Sequence, residues 1–296
     1  MPRATRRRNR DDIMTHYDIG NEFFAMFLDE TMTYSSAVFS GPGDTLAEAS
    51  TNKYRRLLEK LAVGDGHSLL EIGSGWGGLA VHAARSRGCT VTTTTISAEQ
   101  HHAVRRRTRG EGVEHLVDAL ELDWRDLPTL GRRFDRVVSI EMIEAVEWRD
   151  YRKYFDTIER CLAPDGMVGM QAICLPDRRF QASKFHEDFI RRFVFPGGML
   201  PSTGALIDAA CTRGRLQLLD VEDLSSHYAE TLRRWRHRFD EHLDEIGELG
   251  LDERFCRLWR MYLAYCEAAF HERHCTVQQL VFVGPEWRGE LHTRTV

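Results

Sequence analysis

With 296 residues, 42% of them hydrophobic, the chain is long enough for one large or two small domains with a substantial core. The formal net charge of −5 argues against a nucleic-acid partner, and no run reaches the ~20 apolar residues of a membrane span. Seven scattered cysteines, odd in number and lacking a Cys-x-x-Cys pair, read as reduced thiols of a cytoplasmic protein rather than a disulfide frame or a zinc site.

Residues 1–14 carry Arg3, Arg6, Arg7, Arg8 and Arg10 and lack the apolar segment of a signal peptide. They read as a solvated basic tail, with contact to the inner face of an anionic membrane as the alternative. Over residues 15–62 an aromatic arm precedes the nucleotide-type domain. Phe23, Phe24, Phe27 and Leu28 fall at helical spacing and form an apolar face, suited either to a core or to a helical lid over a greasy substrate. Residues 47–61 read as a second helix with Lys53, Arg55 and Arg56 outward.

The nucleotide-binding core is expected over residues 63–175, opening on Ser68-Leu69-Leu70-Glu71-Ile72-Gly73-Ser74-Gly75-Trp76-Gly77-Gly78. A short apolar run that breaks into glycines and resumes as a helical pattern is a strand, a tight turn and a helix start. Without side chains the turn can close on a ligand, and the N–H groups of the helix start are free donors. Glu71, before the turn, suits an ammonium group better than a phosphate. On these residues alone a dinucleotide turn is equally compatible.

A strand over 90–96 ends in Ser97, which caps the next helix; it carries no acid for a ribose diol, which leaves Gln100 for that task. A third strand over 116–122 delivers Asp123 and Trp124, a pair able to hold and stack an adenine. The strand over 134–140 delivers Glu141, Glu144 and Glu147 to the same sheet edge, on or near one helical face, with Glu147 read as solvated. A helix over 151–162 and a strand over 167–173, whose lone polar residue is Gln171, complete an alternation that argues for a parallel doubly wound sheet. Residues 176–250 read as a helical, substrate-binding cover, rich in Phe185, Phe189, Phe193 and Phe195 and followed by a helix with Trp235, Phe239, Leu243 and Ile246 on one face. Residues 251–296 supply a last helix over 255–270 and a closing strand over 277–283.

Taken together, these segments resemble the cyclopropane fatty acid synthase family of S-adenosylmethionine-dependent methyltransferases from about residue 16 to residue 283. The resemblance is carried, in order, by His16-Tyr17-Asp18-Ile19-Gly20-Asn21, Met32-Thr33-Tyr34-Ser35, the glycine turn from Glu71 to Gly78, Thr95-Ile96-Ser97-Ala98-Glu99-Gln100, and Phe195-Pro196-Gly197-Gly198-Met199-Leu200-Pro201-Ser202. It implies an α/β fold: a seven-stranded doubly wound Rossmann-like methyltransferase sheet with an N-terminal helical lid and an inserted helical cover. By motif matching, cofactor contacts fall on Tyr34, Ser35, Gly73, Gly75, Thr95, Gln100 and Trp124, beside Glu71 and Asp123.

The family's active site holds a bicarbonate base ringed by a cysteine, a glutamate, a histidine and a tyrosine. The matching positions are Ser36, Glu144, Gln171 and Tyr228, so serine replaces the cysteine and glutamine the histidine. Ala145 stands where a histidine commonly follows the glutamate. This combination looks more like the branch associated with methyl-branched, tuberculostearic-type fatty acids, and activity is expected not to respond to bicarbonate. The implied reaction adds one carbon to the double bond of an unsaturated acyl chain through a carbocation, giving a cyclopropane or a methylene branch that a separate reductase turns into methyl. Glu144 is the expected base and Tyr228 its orienting partner or a cation-stabilising ring. No metal is expected. A small-molecule N- or C-methyltransferase and a non-catalytic lipid-binding relative are the competing readings.

Overall fold

The computed structural model describes residues 20–289, so the basic tail and His16 to Ile19 of the first motif lie outside the described residues. The described strands are β1 (Ser68–Ile72), β2 (Thr90–Thr95), β3 (Val117–Glu121), β4 (Phe134–Ile140), β5 (Leu162–Cys174), β6 (Gln217–Asp223) and β7 (Thr276–Val283). They form one seven-stranded sheet in the order β3-β2-β1-β4-β5-β7-β6. The first five strands are mutually parallel, as the βα alternation requires, while β7 runs antiparallel to both β5 and β6. β6 falls inside the stretch read from the sequence as cover. As an edge strand with Leu218 and Val221 each 38% exposed it lacks the buried alternation that marks a strand.

The helices are α1 (Asn21–Phe27), α2 (Leu46–Lys60), α3 (Gly78–Arg87), α4 (Ala98–Gly110), α5 (Tyr151–Cys161), α6 (Asp177–Ser183), α7 (Phe189–Phe193), α8 (Thr203–Ile207), α9 (Ser225–Glu241), α10 (Leu243–Glu248) and α11 (Glu253–His271). Their starts follow side-chain chemistry. Thr45 and Glu48 form a capping box ahead of α2, Ser97 accepts from the Gln100 N–H at α4, and Asp252 accepts from the Phe255 N–H at α11. The apolar stripe from Trp235 to Ile246 is not one helix: the chain leaves helical geometry at His242, between α9 and α10. Among the described residues no helix is long and apolar enough to cross a membrane.

Alternation along the strands divides the core. Leu70, Val137, Val168 and Phe282 face α5, packing with Tyr154, Phe155 and Ile158. Leu69, Val138 and Val281 face the other way, against Leu57 of α2 and Ala80 and Ala83 of α3. A third cluster joins Phe23, Phe24 and Phe27 of α1 to Trp235 and Phe239 of α9 and Trp259 and Tyr262 of α11. The three phenylalanines are 0% exposed, so the aromatic arm and the cover close as a single packed body. Lys53 corrects the sequence reading: it points inward and is 0% exposed, because Tyr54, Leu57 and Leu58 turn the same face of α2 toward the sheet.

Candidate active site

In an open α/β sheet ligands bind outside the carboxyl ends of the strands, where the strand order reverses. Here that place lies between β1 and its neighbour β4, so the glycine turn and the Glu141 segment emerge side by side. Gly73, Gly75 and Gly77 have φ of 93°, 49° and 86°, a backbone region glycine enters without strain. The Gly73 and Ser74 N–H groups donate to the Thr94 carbonyl at 3.0 and 2.9 Å, tying the turn to β2. A Cβ on Gly73 would come within 3.0 Å of Met142, whereas one on Gly75 would meet nothing within 4 Å. The turn is closed toward β4 and open at Gly75, which fits a nucleoside cofactor lying against its backbone.

The residues expected to contact the cofactor are held with unequal freedom. Glu71 stands beneath the turn, 4% exposed, with the Thr93 hydroxyl donating to its Oε2; burial pushes its carboxyl up to about 8. That bond ties its carboxyl to β2. Thr95 donates to Gln100 Oε1 at 2.8 Å, which holds the amide at the end of β2. Asp123 binds Arg125 at 2.9 Å, and the Arg125 guanidinium lies 4.7 Å from the Trp124 ring, whose indole packs edge-on to Tyr154 in the core. Tyr34 bonds the Tyr262 hydroxyl at 3.0 Å, and Ser35 Oγ accepts from the Lys53 ammonium.

The three acids after β4 do not share a helical face. The chain turns at Glu141, makes one 3₁₀ turn over Ile143–Ala145 and is extended at Val146. Glu141 itself has φ of 47°, uncommon for a residue with a side chain and costing roughly 1–3 kcal/mol. Its own N–H donates to the Gln171 carbonyl at 2.8 Å. Its carboxylate gathers three donors from three elements: Ser36 N–H and Gln171 Nε2 to Oε1, and the Tyr228 hydroxyl to Oε2, each at 2.8 Å. These contacts over-determine the strained turn and fix the carboxylate between Ser36, Gln171 and Tyr228.

Three of the four residues matched to the bicarbonate ring thus meet, but on Glu141. The Ser36 hydroxyl turns to the Ala37 carbonyl at 3.1 Å and only its main chain serves the site, so the exchange of cysteine for serine leaves this contact intact. Gln171 is anchored from behind by Gln279 Nε2, donating to its Oε1 at 3.1 Å across the β5–β7 pair. Glu144 is held apart. Its Oε1 accepts from the Ile173 N–H at 2.7 Å, while its Oε2 is buried without a partner among the described residues. Burial and the nearby Glu141 charge push Glu144 up to about 8. Tyr228 consequently orients Glu141, not Glu144 as the sequence reading expects.

A bicarbonate does not fit these residues. The Ser36, Gln171 and Tyr228 donors that would hold it already serve a carboxylate, and a second anion would face the Glu141 charge. Sequence reading places Glu141 near the cofactor and misses its role. The available signal is its position, a carboxylate directly following the last residue of β4, where the sheet delivers its reactive groups.

The family model for mycolic acid cyclopropane synthetase matches residues 4–280. The chain is 43% identical over 293 residues to the tuberculostearic acid methyltransferase of Mycobacterium tuberculosis, covering 96% of this chain and 68% of that protein. It is 34% identical over 267 residues to the cyclopropane-fatty-acyl-phospholipid synthase of Escherichia coli K12, covering 90% of this chain and 66% of that one. Among solved structures, a mycolic acid cyclopropane synthase complexed with SAH and CTAB superposes with a TM-score of 0.84 at 27% identity, over 93% of this chain and 98% of that chain. The glycine turn, the order of the sheet and these likenesses agree: the chain belongs to the mycolic acid cyclopropane synthetase family and is an S-adenosyl-L-methionine-dependent methyltransferase.

Proposed function

We propose that this enzyme methylates a carbon of the double bond in an unsaturated fatty acyl chain, with Glu141 as the base that removes a proton from the methylated chain. The observation that carries the base assignment is the Glu141 carboxylate held by Ser36, Gln171 and Tyr228. When bound, S-adenosyl-L-methionine supplies an electrophilic methyl group. Gly73, Gly75, Thr95 and Gln100, at or just after the ends of β1 and β2, are its proposed contacts, together with Tyr34 and Ser35.

An isolated alkene is a weak nucleophile and the cation formed on methylation is quenched by water, so the site must position and exclude. The α1–α9–α11 aromatic cluster does both, setting Tyr34 against Phe24, Phe27, Phe195 and Trp235. Burial raises the proton affinity of Glu141, while Lys53 and three hydrogen bonds pull the other way, which suits a group that must be ionised yet accept a proton. The C–H electron pair left on the chain becomes a ring bond or a double bond, depending on which carbon faces Glu141. A methylene product would then need a separate reductase to become a methyl branch. The exposed Phe185 and Phe193 of the cover, with Lys184, Arg191 and Arg192 near them in sequence, support entry of the chain from an anionic lipid surface.

Methyl-labelled cofactor and vesicles of monounsaturated phospholipid, followed by mass spectrometry of the acyl chains, test the substrate. Label on the chains with a gain of one carbon is expected. Cofactor binding with no label on any lipid, while a small amine or phenol accepts it, would overturn the lipid reading.

A further inference from the structure

Lys53 is a lysine with no exposed surface, placed by α2 beneath the loop that carries the site. A buried ammonium is costly unless anions or acceptors compensate it. Among the described residues its hydrogen-bond acceptor is Ser35 Oγ; the Tyr54 ring lies 4.9 Å from Nζ, and the charges of Glu141 and Asp29 act on it. Asp29 is already engaged, its Oδ1 accepting from the Thr31 N–H at 2.6 Å and its Oδ2 from the Ser50 hydroxyl at 2.7 Å. Glu141 is pulled toward its ionised form by the Lys53 charge. The two charges are joined by adjacent residues: Ser35 takes the lysine, and Ser36 donates its N–H to Glu141.

We infer that Lys53 is a positioning residue for the proposed base: through Ser35 it fixes the loop whose next N–H holds Glu141, and its charge keeps that carboxylate ionised in an apolar cleft. The inference rests on the reading of Glu141 as the base. Other titratable groups face the pair. Glu144 and Asp29 are acids beside it, and Tyr54, Tyr228 and Tyr262 are buried phenols whose raised proton affinity keeps them neutral. Arg107, bonded to the Thr31 carbonyl, acts on Tyr54, whereas Lys53 is the cation that acts on Glu141, and its removal takes that charge away. The depressed proton affinity of Lys53, about 8 through burial, also means that the pair weakens as pH rises past that value.

The test is the pH profile of kcat/KM for the holoenzyme with Lys53→Met, Lys53→Gln and Lys53→Arg, alongside the dissociation constant for S-adenosyl-L-methionine. Met and Gln variants are expected to move the ascending limb upward by about one pH unit or more, lowering kcat/KM roughly tenfold below it, and Arg to restore the parent limb. Affinity for the cofactor should fall less than kcat/KM, since Ser35 is one of several proposed cofactor contacts and the glycine turn is untouched. An unmoved limb in a folded Met or Gln variant would refute the inference, and leaves the base assignment standing if Glu141→Gln is inactive. Loss of cofactor affinity with an unmoved limb would assign Lys53 to the cofactor's carboxylate instead. Because Gln keeps a donor for Ser35, failure of Met alone to fold leaves the Gln profile to decide.

Discussion

Glu141→Gln is expected to lower kcat by roughly a thousandfold, the scale of a lost general base, while leaving S-adenosyl-L-methionine affinity close to the parent's. The substitution is sterically mild. The amide oxygen can still accept from Ser36 and Gln171, and the Tyr228 hydroxyl can reverse to accept from the new NH₂. What disappears is the capacity to take a proton. Glu144→Gln is the matched control: Glu144 favours the protonated form up to about pH 8, so a neutral amide imitates its resting state. Its amide oxygen can keep the Ile173 N–H, and a loss of no more than about tenfold is expected. Single-turnover rates with labelled cofactor, measured beside binding isotherms, check both. A larger loss in the Glu144 variant than in the Glu141 variant would return the base role to Glu144.

Trp235→Ala is expected to cost about 3–5 kcal/mol of stability and to lower Tm by roughly ten degrees. Trp235 is 0% exposed and its indole lies against Phe27, Tyr34 and Tyr228, with ring centroids 6.1, 5.4 and 6.0 Å away. It is therefore the point where Phe27 of the aromatic arm, Tyr34 and the tyrosine serving Glu141 lean on one another. Truncation leaves a cavity that these rings cannot refill without moving. A thermal melt checks the magnitude. A shift of less than about two degrees would mean that the arm and cover are not closed as one body.

Legibility in the sequence followed the strength of local patterns. β1 with its glycine turn, β4 and α11 are readable because buried strands and apolar helical stripes leave regular spacing in the chain. The edge strand β6 is not, since polar Gln217, Asp220 and Glu222 interrupt it and its pairing with β7 is long-range. Lys53 reads as a surface lysine by residue type, and only the packing of α2 on the sheet turns it inward. Ser36, Gln171 and Tyr228 were legible as a group through resemblance to the family. Their common partner was not, because it depends on the backbone turn at Glu141, where φ is 47° for a residue type that rarely adopts it. A side-chain contact made across such a turn has no signature in spacing.

The proposed base is a side chain of the protein, and its most direct test is the initial rate of label transfer from methyl-labelled cofactor to unsaturated phospholipid, in buffer purged of carbon dioxide and again with bicarbonate restored. Glu141 already binds the donors that a bicarbonate would need, so the two rates should agree within about twofold. A rate that collapses on purging and recovers with added bicarbonate would contradict this account.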